Sequence, residues 1–399
     1  MPNSNLSNQW HARADLVARW LEDFIVAQMR QLRPNYAAPE QFSGLTLNRD
    51  DADIDSIELI DVASALYVAL DAEASGSLNA VPLGRSFASW CAFVQHAAAR
   101  TEVLSFYTSG STGKPRRVEH PLRDLDAEIR DFLPQLCADG IAPKRIVTVL
   151  PSQHLYGFLF GILLPAKLNV PILALKGQTA AVVRAQLRPG DALLAHPMFF
   201  TSALQPEAAS SATEIIWPAQ ILGISSGQAL PDVIFERARI QQIRVLEIYG
   251  STETAGVAWR DAPGPMQLMA RYGLSASGHL TDHYHHARAI TAPDQLERTS
   301  DGRLRVLARH DRVVQVAAVN VHLERVERVI RAVTKISEVR VCFDGDTQRL
   351  SAWLVSGALD EAALRRQLQA QLNSSEMPTR WHFVSAFPDA GAWKGSEAT

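Results

Sequence analysis

The strongest constraint on the fold is a series of short apolar runs that alternates with helical patterns after Thr101. The runs are rich in valine, isoleucine and leucine, and stretches with helical periodicity separate most of them. The predicted strands are Arg145–Leu150, Val170–Leu175, Asp191–His196, Ile221–Ser225 and Arg244–Tyr249. Continuous apolar strands separated by helices are typical of a parallel sheet with both faces covered. The sequence therefore predicts an α/β domain whose ligands bind at the carboxyl ends of the strands.

Two regions with other patterns flank this α/β region. From Ala12 to Leu32 apolar residues recur every three or four positions, which predicts an amphipathic helix. Further helices are expected from Asp55 and at Phe87–His96. The region after Arg309 is predicted to be α+β, with a helix at Leu323–Val333, strands at Val339–Phe343 and Leu350–Val355, and a helix at Asp360–Leu372 that Asp360 can cap. We expect a helical module at 1–100, an α/β domain at 101–308 and a mobile α+β subdomain at 309–399.

Composition narrows the classes of function. A formal net charge of −3 and the absence of a Lys/Arg run argue against nucleic-acid binding. The three cysteines, Cys91, Cys137 and Cys342, are far apart, and the first residues lack a secretory leader, so we expect a cytoplasmic protein. The most apolar stretch, Tyr156–Leu175, is interrupted by polar residues and prolines; it predicts a buried helix and a buried strand instead of a membrane span.

The sharpest local motif is the loop Thr108–Pro115, which follows the apolar run Val103–Phe106. Its glycines and hydroxyl residues would let backbone N–H groups close around phosphate oxygens, with Lys114 adding positive charge. It is not a Walker loop, because Thr108 stands where that motif needs glycine and Pro115 where it needs serine or threonine. A flexible solvated turn is the alternative.

A second motif, Tyr249–Gly256, follows the last predicted strand. Glu253, flanked by hydroxyl residues at the carboxyl end of a strand, is a candidate ligand for Mg²⁺ shared with a nucleotide phosphate. The Ser-Thr-Glu order is also an ordinary helix start, which is the alternative interpretation.

Together these segments resemble signatures of the adenylate-forming superfamily, which includes acyl-CoA synthetases, peptide-synthetase adenylation domains and firefly luciferases. Thr108–Pro115 is similar to its phosphate-binding signature and Tyr249–Gly256 to its Tyr-Gly-x-Thr-Glu signature. Further similar segments follow in the family's order: Pro151–Gly157, Ser225–Leu230, Asp294, Arg309–Asp311 and Phe387–Lys394. The resemblance implies an adenylate-forming ligase fold with a shortened large domain, because little chain precedes Thr108.

The resemblance also implies a two-step ligation that uses ATP and Mg²⁺ to activate a small carboxylic acid and then pass it to a thiol. The implied catalytic residues are Lys394, Glu253, Thr252 and His154, with Glu253 as metal ligand. The implied nucleotide-binding residues are Thr108, Ser109, Gly110, Ser111, Thr112, Gly113, Lys114, Ser226, Gly227, Gln228, Tyr249, Gly250, Ser251, Asp294 and Arg309. Arg309–Asp311 resembles the family's hinge, and the part after the hinge turns between half-reactions, so Asp311 is expected to be a pivot.

The helical module resembles an acyl carrier protein, because a long helix and a loop precede Asp55-Ser56-Ile57-Glu58. In carriers the serine of this motif receives phosphopantetheine, which makes Ser56 a candidate attachment site. The alternative is a capping box, in which Asp55 and Glu58 close the start of a helix without any prosthetic group.

The acceptor thiol is expected to belong to an acyl carrier protein, either this module or a separate chain. The segment Gly256–Arg260 resembles that of small bacterial ligases that serve carriers in aryl polyene and xanthomonadin-like pathways, which favours an aryl acid. One alternative is an acyl- or aryl-CoA ligase with CoA as acceptor. Another is a catalytically inactive binding or regulatory protein on a truncated ligase scaffold.

Overall fold

A computed structural model gives the fold of most of the chain. It describes residues 10–73, 83, 85–108, 116–137, 142–205, 217–285, 288–309, 313–316, 319–344, 347–357, 359–369 and 371–387. The contacts divide the chain into two compact units. The first comprises Met1–Thr108, Pro115–Ser226 and Leu230–Pro263, and the second comprises Ser109–Lys114, Gly227–Ala229 and Gly264–Thr399. The boundaries expected after residues 100 and 308 do not coincide with this division.

The first unit contains the amino-terminal helices and the helices that cover the central sheet. Its α-helices are α1 Ala14–Leu32, α2 Arg49–Ala52, α3 Ser56–Ala69, α4 Phe87–Ala98, α5 Leu122–Leu136, α6 Leu155–Phe158, α7 Leu164–Leu168, α8 Ala180–Gln186, α9 Pro197–Ala203 and α10 Asp232–Ile240. A π-helical turn, Leu159–Leu163, joins α6 to α7. The amino-terminal helices expected from the sequence are therefore present.

The strands of the first unit form a hairpin and a central sheet. They are β1 Val103–Thr108, β2 Arg116–Pro121, β3 Arg145–Thr148, β4 Ile172–Ala174, β5 Asp191–Ala195, β6 Leu222–Ser226, β7 Arg244–Ser251 and β8 Ala255–Arg260. The sheet runs β4-β3-β5-β6-β7-β8, and only the β7–β8 pair among these is antiparallel. This confirms the predicted parallel sheet. Strand β4 is half-exposed and not buried as expected, because it forms the edge of the sheet.

The amino-terminal helices pack directly on this α/β unit. The ring of Trp10 lies 5.5 Å from that of Phe158, at the end of α6. The buried Arg19 donates a hydrogen bond to the carbonyl oxygen of Leu150, just beyond β3, at 2.9 Å. Apolar and charged side chains of α1 are thus buried against the body of the unit, which explains why no division falls at residue 100.

The second unit is built of small antiparallel sheets and one α+β layer. Its strands are β9 Gln267–Leu268, β10 Tyr272–Leu274, β11 Leu280–Asp282, β12 Arg288–Ile290, β13 Asp294–Arg298, β14 Leu304–Arg309, β15 Val313–Val316, β16 Val319–His322, β17 Val339–Asp344, β18 Arg349–Val355 and β19 Arg380–Val384. Its α-helices are α11 Leu323–Thr334 and α12 Glu361–Leu368.

A single apolar core holds α11 and α12 against the sheet β17-β18-β19. The carboxylate of Asp360 accepts hydrogen bonds from the N–H groups of Ala362 and Ala363, so the predicted cap of α12 is confirmed. The helix ends at Leu368, earlier than expected, and β19 was not predicted. None of the helices in the described part of the chain is long and apolar enough to cross a membrane.

Candidate functional site

The predicted phosphate loop connects the two strands of the β1–β2 hairpin. Thr108 is the last residue of β1 and pairs with Arg116, the first residue of β2. The loop residues Ser109, Gly110, Ser111, Thr112, Gly113, Lys114 and Pro115 lie outside the described residues. The structure thus fixes where the loop leaves and rejoins the first unit, and the loop's own conformation stays a prediction.

The carboxyl ends of β6 and β7 carry the next group of predicted site residues. The strands are parallel neighbours, so their carboxyl ends lie at the same edge of the sheet. Ser226 ends β6, and its hydroxyl donates a hydrogen bond to the carbonyl oxygen of Ile248 on β7 at 2.7 Å. Gly227 follows with a φ of 92°, a conformation that favours glycine. Gly227 and the half-buried Gln228 belong to the second unit.

The motif Tyr249–Gly256 is a hairpin turn between β7 and β8, so its alternative interpretation as a helix start is wrong. The hydroxyl of Ser251 accepts hydrogen bonds from the N–H groups of Glu253 and Thr254, both at 3.2 Å. These bonds hold the turn while the side chain of Glu253 remains exposed. Because the hydroxyl of Ser251 and not the carboxylate of Glu253 holds the turn, this carboxylate is available to bind a metal ion.

Gly250 is required where the turn closes. A Cβ atom at this position would lie 2.1 Å from the carbonyl oxygen of Ala255 on the paired strand. Ala255 itself has a φ of 57°, which an L-residue adopts only at a cost. The close approach of the two backbones therefore sets the shape of the segment that carries Thr252 and Glu253.

His120, on β2, is a site neighbour that sequence reasoning missed. Its buried imidazole donates from Nε2 to the carbonyl oxygen of Thr252 at 2.6 Å. This bond joins the hairpin of the phosphate loop to the turn of Glu253. Only its position five residues past the loop could have indicated this, because the contact spans 132 positions of the chain.

A buried charge pair fixes the chain just after Gly227–Ala229. Glu247 on β7 accepts from Arg260 on β8 at 2.5 Å and from the N–H of Leu230 at 2.7 Å. Arg260 also donates to the carbonyl oxygen of Leu230. Burial raises the pKa of the Glu247 carboxyl, and the Arg260 guanidinium opposes that rise. The pair thus anchors one end of the segment Ser225–Leu230, which contains three of the predicted nucleotide-binding residues.

The segment Pro151–Gly157 lies between α1 and the sheet. His154 directly precedes α6 and keeps exposed surface, while the surrounding protein lowers the pKa of its imidazole by desolvation. The hydroxyl of Tyr156 donates to the carbonyl oxygen of Ile224 on β6 at 2.8 Å, and burial raises its pKa. The segment is therefore attached to the strand that ends at Ser226.

Asp23 on α1 anchors the same segment from the other side. Its buried carboxylate accepts from the N–H and the hydroxyl of Ser152, at 2.7 and 2.6 Å. Lys176, beyond β4, forms an ion pair with it. A helix far away in the sequence thus fixes the position of the residues around His154.

Two predicted nucleotide contacts lie in the second unit. Asp294 begins β13 and pairs in register with Arg309, the last residue of β14. The structure therefore places the two backbones opposite each other. His310 and Asp311 of the predicted hinge, and the predicted catalytic residue Lys394, lie outside the described residues.

The segment around Ser56 forms a complete capping box. The carboxylate of Asp55 accepts from the N–H groups of Ile57 and Glu58, and that of Glu58 accepts from the N–H of Asp55. The cap accounts for Asp55 and Glu58 without a prosthetic group. Ser56 is exposed as the first residue of α3, and its modification stays a prediction.

A family profile described as "AMP-binding enzyme" matches residues 47–281. The chain belongs to the AMP-binding enzyme family. The matched region begins before α2, so α3 and α4, which resembled parts of a carrier protein, lie within the part that the family shares. The resemblance to an acyl carrier protein is not confirmed.

Curated relatives of this family member match nearly its whole length. A 4-coumarate–CoA ligase from Rhodobacter capsulatus is 29% identical over 94% of this chain and 97% of its own. A 4-coumarate–CoA ligase from Halorhodospira halophila is 28% identical over 94% of this chain and 97% of its own. Each alignment thus covers nearly the whole of the relative as well as nearly the whole of this chain.

Solved structures confirm the α/β adenylate-forming ligase fold. An o-succinylbenzoate CoA synthetase from Bacillus subtilis superimposes with a TM-score of 0.57 at 17% identity, over 72% of this chain and 67% of that one. A malonyl-CoA ligase solved with methylmalonyl-CoA and AMP gives a TM-score of 0.53 at 22% identity, over 71% of both chains. At these identities the similarity shows the fold alone.

Proposed function

We propose that this enzyme is an AMP-forming ligase that activates an aryl carboxylic acid with ATP and transfers the acyl group to CoA. The observation that carries the proposal is the near full-length match to proteins named 4-coumarate–CoA ligase. A more distant match, to a 4-chlorobenzoate–CoA ligase from Arthrobacter, also names an aryl acid. The sequence favoured an aryl acid as the substrate. It favoured an acyl carrier protein as the acceptor, with CoA as the alternative.

In the first step a carboxylate oxygen of the acid attacks the α-phosphorus of ATP, and pyrophosphate leaves. Such a transfer depends on positioning and charge neutralisation more than on covalent help from the protein. We assign Thr108 and the loop Ser109–Lys114 to the departing phosphates. The segment Ser226–Gln228 and Tyr249–Ser251 are assigned to the rest of the nucleotide, with Asp294 and Arg309 at the ribose.

The residues at the β7–β8 turn fit a magnesium ion that is shared with the nucleotide. Mg²⁺ is commonly held by one or two carboxylates together with substrate phosphates. Glu253 offers an exposed carboxylate, with Thr252 beside it, whereas the hydroxyl of Ser251 holds the turn. When bound, the ion would neutralise the charge that develops on the phosphates.

In the second step the thiol attacks the acyl carbon and AMP leaves. Lys394 is assigned to the first step, where its ammonium bridges the carboxylate and the α-phosphate. The lowered pKa of His154 favours its neutral imidazole. A neutral side chain can line the pocket for the acyl group without attracting the carboxylate of the acid.

Acid-dependent release of pyrophosphate tests the proposed activity. We expect release with 4-coumarate and ATP, and formation of an acyl thioester when CoA is added. The K394Q variant should lose at least about 100-fold in kcat, the range for loss of a group that stabilises the transition state. The matched control is K335Q, since Lys335 is exposed and follows α11. No acid-dependent release from the wild type across a panel of aryl and fatty acids would support the inactive scaffold instead.

A competition between acceptors tests the choice of CoA. The wild-type enzyme is incubated with ATP and the acid, and then with CoA or with a phosphopantetheinylated carrier protein. The thioester that forms is identified by its intact mass. We expect transfer to CoA. Transfer to the carrier alone would favour a carrier protein as the acceptor instead of CoA. A gain of phosphopantetheine on Ser56 after treatment with a phosphopantetheinyl transferase and CoA would do the same.

A further inference from the structure

A cleft in the first unit lies between α1, β1 and the segment that contains His154. One wall comes from α1 and the other from consecutive residues of β1, and Gln153 and His154 complete the lining. The lining residues are Trp20, Phe24, Ala27, Gln28, Gln31, Leu104, Ser105, Phe106, Tyr107, Gln153 and His154. None of these residues is among the nucleotide-binding residues assigned above, and of the lining residues only His154 was predicted from the sequence.

The aromatic side chains of Trp20, Phe24, Phe106 and Tyr107 contribute to the lining of the cleft. Trp20, Phe24 and Phe106 are each at most 5% exposed. The rings of Trp20 and Phe24 lie 5.3 Å apart, and Phe106 lies 5.6 Å from Phe158, so packing holds these rings in place. A rigid aromatic surface suits a flat ring and requires little ordering on binding.

The polar groups of the cleft are amides, hydroxyls, the indole N–H of Trp20 and the imidazole of His154. Gln28, Gln31 and Gln153 can each donate and accept hydrogen bonds. No Asp, Glu, Lys or Arg side chain is among the described lining residues. The cleft therefore suits the neutral, aromatic part of an acid, with the amides positioned for a polar ring substituent, while the carboxylate must lie elsewhere.

The position of the cleft links it to the nucleotide site. Tyr107 lines the cleft, and the next residue, Thr108, ends β1 where the phosphate loop begins. On the other side His154 belongs to the segment that Tyr156 ties to β6. A ring held in the cleft would thus be adjacent to the start of the phosphate loop and to the segment that contains His154.

We infer that α1 forms a wall of the acid-binding pocket, so that Ala27 and Gln28 determine which aryl acid the enzyme accepts. This inference rests on the proposed function and deepens it. The small side chain of Ala27 leaves room for the ring, which a larger side chain at this position would fill. Gln28 selects for a ring that carries a hydrogen-bonding substituent such as a hydroxyl group.

Two substitutions test this assignment. A27F should fill the cleft and raise KM for 4-coumarate at least ~10-fold, a change of about 1.4 kcal/mol. Q28L should raise KM for 4-coumarate several-fold more than KM for cinnamate, which lacks the ring hydroxyl. KM for ATP and for CoA should stay within about twofold in both variants, because neither is assigned to the cleft. The control is A14F, at the exposed start of α1.

Unchanged KM values for the acids in both variants would overturn the inference and leave the proposed function intact. A rise in KM for CoA instead would assign the cleft to the acceptor and also overturn it. Binding of 4-coumarate without ATP, followed by saturation-transfer NMR, decides the question even if no pyrophosphate is released. We expect a signal with the wild type and A14F that A27F abolishes, and a signal retained by A27F contradicts the assignment.

Discussion

The carboxylate of Asp23 accepts two hydrogen bonds from Ser152, although the two residues are 129 positions apart in the sequence. Asp23 is on α1, and Ser152 lies two residues before His154 in the segment Pro151–Gly157. Both side chains are buried, and Lys176 pairs with the same carboxylate. This junction makes the first helix a structural part of the α/β unit.

Replacing Asp23 with alanine should strongly destabilise the protein. The change leaves the N–H and hydroxyl of Ser152 buried without this acceptor and removes the partner of Lys176. We expect the free energy of unfolding to fall by about 2–4 kcal/mol, measured by urea denaturation. D15A on the same helix removes an exposed pair with Arg13 and should cost less than about 1 kcal/mol. Equal effects of the two substitutions would contradict the role of the junction.

The stability of an R260A variant should depend on pH. Burial already raises the pKa of Glu247 above its ordinary value of 4.5, and loss of Arg260 should raise it further. Above pH 4.5 the folded state then holds a proton that the unfolded state has released, so stability falls as pH rises through the folded pKa.

We therefore expect R260A to lose at least about 1 kcal/mol more stability relative to wild type at pH 8 than at pH 5, since one pKa unit corresponds to about 1.4 kcal/mol. Urea denaturation at the two pH values measures this difference. R239A, which breaks an exposed pair with Glu236, should show no such dependence. A deficit that is the same at both pH values would be evidence against the buried charge pair.

A methyl group at Gly250 should distort the turn that carries Glu253. The added Cβ would lie 2.1 Å from the carbonyl oxygen of Ala255, which is part of the backbone and cannot rotate away. We expect G250A to lose about 2 kcal/mol or more of stability and most of its adenylation activity. At Gly357 an added Cβ meets nothing within 4 Å, so G357A is the control. A G250A variant with wild-type stability and activity would show that this turn adapts freely.

Loss of the His120 side chain should weaken binding of the nucleotide. H120A removes the hydrogen bond to the carbonyl oxygen of Thr252 and loosens the turn beside Glu253. We expect KM for Mg-ATP to rise about 3- to 10-fold, in line with about 1 kcal/mol for one hydrogen bond, with KM for the acid unchanged. H96A, on the exposed side of α4, is the control. Parallel rises in KM for acid and for ATP would indicate a general loss of structure instead.

The sequence predicts the central sheet well because its strands are short, apolar and separated by helical patterns. It mistakes the exposure of β4, since composition does not reveal which strand forms an edge. Strand β19 was missed because its pattern, Arg-Trp-His-Phe-Val, includes charged and polar residues that pair in parallel with β18.

The candidate site was predicted where it consists of contiguous signatures, such as Tyr249–Gly256. Its supports could not be predicted in this way. His120 acts through one hydrogen bond and Asp23 through two, each to a segment more than 120 positions away, and periodicity reports only local relationships. The three-helix pattern before Thr101 was similarly ambiguous, because a capping box and an attachment motif share the same letters.

The burial of Arg19 and Asp23 against the body also limits how such enzymes can be recombined. One such case is a chimera in which the first hundred residues come from a protein that lacks these two charges. The carbonyl oxygen of Leu150 and the hydroxyl of Ser152 would then lose their partners. We therefore expect substitutions in α1 and in the segment before His154 to occur together in related proteins. In engineering of this scaffold the two segments should be exchanged together.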